Sequence, residues 1–258
     1  ANDVAPGARP LISSGNSFPL IELFGTLGTV EAFDIANSGG RAIAANGAGG
    51  FTLRDIGITS AATASGSMEF IGSTGVIAIT NVAITGATQA NGSALSFLNN
   101  SAVVSLFGST VSAFTGGYVL NVSGNSNTIT FDGGSDLSSS NTRGLAITTQ
   151  SATGRVTLAG VNLGGGATSE PLVRLQGNNA ASLVVFSEGV LADASAADAQ
   201  AFSSDGGRLT IAGTNSTLSA ADGPALYLES VELHDDLLQR PFRSMFIAVC
   251  AELGTLVT

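Results

Sequence analysis

The chain has no lysine and no tryptophan, one cysteine, one histidine and two tyrosines, and only 11% of its 258 residues are charged. Each scarcity excludes something. A lone Cys250 cannot close an internal disulfide, and paired-cysteine zinc sites are excluded with it. The nine basic residues are all arginine and lie scattered among nineteen acidic ones, for a net charge of −10. Phosphate backbones are held by clustered cations, so nucleic acid is excluded as a partner. No run of about 18 apolar residues is present, so no membrane-spanning helix is expected. The longest apolar stretch, Met245 to Leu253, is short and carries Glu252. The sequence opens on Ala1-Asn2-Asp3, as after a removed signal peptide or at an arbitrary boundary.

What is present is a repeat. The pattern apolar-x-apolar occurs as Phe51-Thr52-Leu53, Ile77-Ala78-Ile79, Val104-Ser105-Leu106, Ile129-Thr130-Phe131, Val156-Thr157-Leu158, Val184-Val185-Phe186 and Leu209-Thr210-Ile211, every 25–28 residues. A second apolar set follows it: Ile58, Ile84, Val111, Leu137, Leu163, Leu191 and Leu218. A third precedes it: Met68, Leu95, Leu120, Leu145, Val173, Phe202 and Leu226. Three sets in one phase mean three short strands per coil, because strand side chains alternate between faces and the inward ones stack on the next coil. Gly, Asn and Ser between them, as at Asn46-Gly47, Asn91-Gly92, Gly133-Gly134 and Gly206-Gly207, supply turn conformations.

The expected fold is all-β: a right-handed parallel β-helix of about seven to eight coils of ~26 residues. Apolar residues alternate rather than recur at three and four, which excludes helices. A β-sandwich gives no reason for a constant phase, and a left-handed hexapeptide helix needs a shorter one. Residues 1–40 are expected to form an N-terminal cap and first partial coil, residues 41–228 the coils, and residues 229–258 a C-terminal cap or assembly segment.

β-helices host polysaccharide lyases and hydrolases, whose chemistry needs carboxylate pairs in outward rows. Paired glycosidase carboxylates stand roughly 5 to 9.5 Å apart. The row Glu69, Ser96, Asn121, Ala146, Arg174 holds one acid. Asp55 and Asp132 are three coils apart, roughly 14 Å. Asp132 and Glu188 are two coils apart, roughly 10 Å, in differing registers. Asp132-Gly133-Gly134-Ser135-Asp136 is the densest acidic loop and the only calcium candidate, without the nonapeptide pattern of calcium-binding repeats. His234 beside Asp235 and Asp236 has no evident nucleophile near it in sequence, and Cys250 in its apolar stretch reads as an inert buried thiol. Asn91, Asn99, Asn121 and Asn215 begin sequons, a number that an Asn/Ser-rich chain produces by chance. No catalytic, cofactor or metal residue is therefore assigned. Phe107 and Tyr227 are the outward aromatics available for sugar stacking, and Thr52, Thr130, Thr157 and Thr210 form an interrupted threonine row that would suit ice.

Gly39-Gly40-Arg41-Ala42-Ile43 and Phe97-Leu98-Asn99-Asn100 resemble the GGA[ILV] and FxxN tags of polymorphic outer-membrane proteins. The Asn/Gly/Ser/Thr-rich, lysine-free coils over residues 33–228 resemble passenger domains of autotransporter adhesins. Each tag occurs about once, and the first carries an inserted Arg41. The resemblance implies an exported bacterial surface protein, outside or on the cell, and assigns no residue a role. The expected function is a non-enzymatic structural or adhesive rod that self-assembles into a filament through its coil ends. Its expected partners are proteins, further copies of itself or a surface glycan. The alternative is a carbohydrate-active or carbohydrate-binding β-helix.

Overall fold

The computed structural model describes residues 9–233, apart from 27, 133, 166–169, 198, 214, 215 and 222. Among these residues there is no helix, and 22 strands pair into one continuous parallel sheet. The sheet coils into a right-handed parallel β-helix of about 8 turns.

Three faces run along the solenoid. Face 1 contains Ile21–Leu23, Arg41–Asn46, Gly66–Ile71, Ser93–Leu98, Tyr118–Ser123, Gly144–Thr148, the first parts of Val173–Phe186 and Phe202–Ile211, and Leu226–Glu229. Face 2 contains the apolar-x-apolar strands, from the start of Thr29–Asn37 to Glu232–Leu233. Face 3 begins with Leu11–Ser14 and includes Thr110–Thr115, Asp136–Ser140, Gly160–Gly165, Val190–Ala194 and Thr217–Ala220.

Two of the three expected ladders are the observed ones, residue for residue. On face 1, Met68 pairs with Leu95, then Leu120, Leu145, Val173, Phe202 and Leu226. On face 2, Leu53 pairs with Ile79, then Leu106 and Phe131. The face 3 ladder needs correction. Leu137 pairs with Val161, not Leu163, and Leu163 continues through Ala192 to Leu218. Leu191 points outward and is 36% exposed. Face 3 has two inward rows two residues apart, and alanine fills one where leucine was expected. An apolar count assigns the larger neighbour to the core, whereas strand parity decides which side chain points inward.

The core is one stack. Phe51, Phe70 and Phe97 follow one another at ring centroids 5.8 and 5.0 Å apart, stacked with interplanar angles of 30° and 16°. Such pairs add about 0.5–1.5 kcal/mol beyond the area they bury.

Corners close each turn, and their chemistry repeats. Between faces 1 and 2 the chain turns through a left-handed residue at Gly47, Gly72, Asn99, Gly124, Thr149 and Gly177. The next residue in each turn is Ala48, Ser73, Asn100, Asn125, Gln150 and Asn178, and each of these is buried. Asn100 shows why polar side chains belong there. Its Oδ1 accepts from the Ser73 N–H at 2.7 Å and its Nδ2 donates to the Phe70 carbonyl at 2.9 Å. Asn178 does the same for the Gln150 N–H and the Ile147 carbonyl. Corner backbone groups that no strand can pair are thus satisfied from inside. Phe97-Leu98-Asn99-Asn100 is therefore a core aromatic followed by this corner. Gly39-Gly40 is a close approach: a Cβ at Gly40 would lie 2.4 Å from the Phe18 carbonyl oxygen.

Candidate functional site

A cluster of two arginines, a glutamate and a tyrosine sits at the corner that leads from face 3 into face 1. Tyr118 opens a face 1 strand; Arg143 sits at the same corner one turn on, and Glu170 and Arg174 come from the turn after that. Arg143 donates to Glu170 Oε2 through Nε at 2.9 Å and Nη2 at 2.5 Å. The Tyr118 hydroxyl donates to the same oxygen at 3.2 Å. Arg174 reaches Glu170 Oε1 at 3.4 Å and the Tyr118 hydroxyl at 3.3 Å. Both guanidiniums lie by the Tyr118 ring, at 4.7 and 5.9 Å from its centroid. Arg143 also reaches back to Asn91 Oδ1 at 2.7 Å. The cluster therefore ties together four successive turns.

Burial raises the Tyr118 hydroxyl above its ordinary pKa, against the opposing charges of Arg174 and Arg143. Burial alone would raise the Glu170 carboxyl too, but the hydrogen bond and charge of Arg143, the charge of Arg174 and the Tyr118 hydroxyl together hold it below its ordinary value. Burial alone would lower Arg143, and its Glu170 and Tyr118 contacts raise it instead. A carboxylate held ionised by two guanidiniums is a poor general base, since the base must be ready to take up a proton. The arrangement clamps the corner.

Sequence reasoning missed three of these four residues. The outward row Glu69, Ser96, Asn121, Ala146 and Arg174 is in register as expected. Tyr118, Arg143 and Glu170 lie outside it at the corner, spaced 25 and 27 residues apart, and corner positions were read only as turns. The signal was a Tyr, an Arg and a Glu at about the repeat spacing. Ser96 and Ala146 of that row are buried rather than exposed.

The other singled-out residues stay dispersed. Register places Ser187, not Glu188, two turns along from Asp132, and the Ser187 hydroxyl donates to the Leu158 carbonyl. Asp136 pairs in register with Thr110 and Gly160. At this corner it is Ser135 that hydrogen-bonds the backbone, at Ser109 N–H and Leu106 carbonyl. Among the described residues no three His, Cys, Asp or Glu side chains gather as a metal group. Asp55 accepts from Asn81 Nδ2 at 3.0 Å and pairs with Arg54. The Tyr227 hydroxyl donates to Glu229. Arg41 pairs with Glu69 at 2.8 Å across adjacent face 1 strands. His234, Asp235, Asp236, Cys250, Asn215 and all of the terminal segment beyond 233 lie outside the described residues. No helix among the described residues is long and apolar enough to cross a membrane.

Face 2 carries the second feature. Its central outward row is Thr29, Thr52, Ala78, Ser105, Thr130, Thr157, Val185 and Thr210, in unbroken register. Flanking rows expose Val76 (61%), Val103 (40%) and Phe107 (56%) on two adjacent strands. The expected outward aromatic Phe107 is thus exposed, within a flat patch that Ala78, Thr80 and Ser105 complete without charge.

Comparison with protein-family models, with curated proteins and with solved structures finds no match.

Proposed function

We propose that this chain is a non-enzymatic, exported bacterial surface protein, a structural or adhesive β-helical rod of the autotransporter-passenger kind. The observation that carries the reading is a patch on face 2, where Val76, Val103 and Phe107 stand exposed around the uncharged Ala78, Thr80 and Ser105, in a chain whose Tyr118, Arg143, Glu170 and Arg174 are spent on holding turns together. Exposed apolar area of this sort marks contact surfaces on soluble proteins. Lysine-free coils rich in Asn, Gly, Ser and Thr support export to the cell surface by their resemblance to adhesin passengers. Self-assembly through coil ends is part of the proposal: Ile12 continues the inward row of Ile35 and Ile58 yet is 36% exposed on the first described turn, where a further turn would stack. The partners are proteins, copies of the chain or a surface glycan.

Beads coated with the chain test adhesion. Retention on protein- or glycan-coated surfaces, lost on unfolding the chain, is the expected result. Release of reducing ends or unsaturated products from a panel of acidic and neutral polysaccharides would overturn the reading. The carbohydrate alternative would use Phe107, an outward aromatic that is 56% exposed on face 2 and open to sugar stacking. Polysaccharide binding that Phe107→Ala abolishes, with the fold intact, would move the assignment there.

A further inference from the structure

We infer that face 2 pairs two copies of this chain side by side, through a two-fold axis parallel to the strands and running between Val76–Ala87 and Val103–Phe107. The inference rests on the rod reading, in which faces make the contacts. A two-fold of this kind keeps strand direction and reverses the order of turns, so each outward row meets itself with its turns counted backwards.

Face 2 is self-complementary under that operation. In the first row Val76 of one copy meets Val103 of the other. In the central row Ala78 meets Ser105, and Thr52 meets Thr130. The third row runs Glu31, Arg54, Thr80, Phe107 and then Asp132, the residue after the Phe131 that pairs with Leu106. There the Thr80 methyl and stem meet Phe107, and Arg54 meets Asp132. The Arg54 side chain is 51% exposed, and its present partners, Glu31 and Asp55, lie on its own copy. Glu31 falls opposite the turn of Val156-Thr157-Leu158, at Ala159, so no acid faces an acid. One Asp132 oxygen is buried without a hydrogen-bond partner, which an opposing guanidinium beside the carboxylate would help to offset. The symmetry makes each charge pair occur twice.

A second copy is the occupant that this charge order selects. A homodimer face must be complementary to itself, and here the cation and the acid stand in one row at equal distances on either side of the apolar pair. Six turns of about 4.8 Å and a strand width of roughly 16 Å give about 450 Å² per copy. That is below the ~800 Å² per partner of a standard stable interface, so the dimer is weak and reversible.

Sedimentation equilibrium of the full chain from about 1 µM to about 1 mM tests it. Wild type should pass from monomer to dimer within that range. Arg54→Asp and Asp132→Arg should each remain monomeric, since each sets like charges together twice. Mixed in equal amounts they should form a heterodimer, because in the mixture both contacts join opposite charges. Phe107→Ser should weaken the dimer about tenfold, a loss of about 1.4 kcal/mol. Circular dichroism checks that each variant keeps its sheet. A wild type monomeric at 1 mM overturns the inference, as does a dimer indifferent to all three substitutions. A monomer that adheres or stacks end to end removes the lateral pair and leaves the rod reading standing. A monomer that cleaves polysaccharide removes both.

Discussion

Ala32 turns the chain between faces 2 and 3 at φ 63°, in the place that Asp55, Asn81 and Gly108 occupy in the next three turns. Its methyl group gains nothing there and crowds the backbone, as left-handed conformations do for residues with a Cβ. Ala32→Gly should stabilise the chain by about 1 kcal/mol after allowing for the freer unfolded state; a fall or no change in the urea midpoint would contradict this. Asn100 is the opposite case. Removing its amide in Asn100→Ala leaves the Ser73 N–H and the Phe70 carbonyl buried without that partner. Two such groups should cost about 2–4 kcal/mol, read as a lower midpoint at unchanged slope. Neither role was legible from the residue type alone. Asn99-Asn100 looked like turn chemistry and a family tag, and only the corner geometry distinguishes the left-handed Asn99 from the inward Asn100.

At the scale of elements, the Tyr118–Arg143–Glu170–Arg174 clamp holds the corner between faces 3 and 1 across neighbouring turns. The folded pKa of Glu170 lies below its unfolded value. Its contribution is therefore fully present above the unfolded value and is lost as pH falls through the folded one. Glu170→Gln should cost about 1–2 kcal/mol at pH 7, since the pairs are partly exposed, and should flatten the acid limb of stability below the ordinary glutamate pKa of about 4.3. Urea unfolding at stepped pH reads both effects, and a variant with the wild-type acid slope would remove Glu170 from the clamp. Tyr118→Phe keeps the ring under Arg143 and loses the hydroxyl hydrogen bond to Glu170, so it should fall between the two. The three strand types were legible because alternation needs only near neighbours in sequence. The clamp was not, because its members meet across turns and come from corners, where composition reports flexibility of choice rather than direction.

Across the whole molecule strands pair only with those of adjacent turns, and the clamp side chains named above reach two turns away, so stability is close to a sum of turns and their interfaces. Hydrogen exchange should be slowest in Phe51–Ser60, Gly66–Ile71 and Ser93–Leu98, where Phe51, Phe70 and Phe97 stack, and fastest in Leu11–Ser14, which pairs on one side only among the described residues. Equal protection along the rod would mean a single cooperative unit instead. The periodic apolar pattern by itself determined the class of fold, the coil length and two of the three ladders, because a repeat of about 26 residues with three alternating segments has one economical way to bury its side chains. What only the tertiary structure decided was direction and company: that Leu191 faces out while Ala192 faces in, that Asn and Gln cap corners from within, and that Tyr118, Arg143 and Glu170 converge. The reason is physical. Burial follows from local alternation, but which side chains meet between turns depends on corner lengths and registers, and these differ from turn to turn while the apolar phase barely changes.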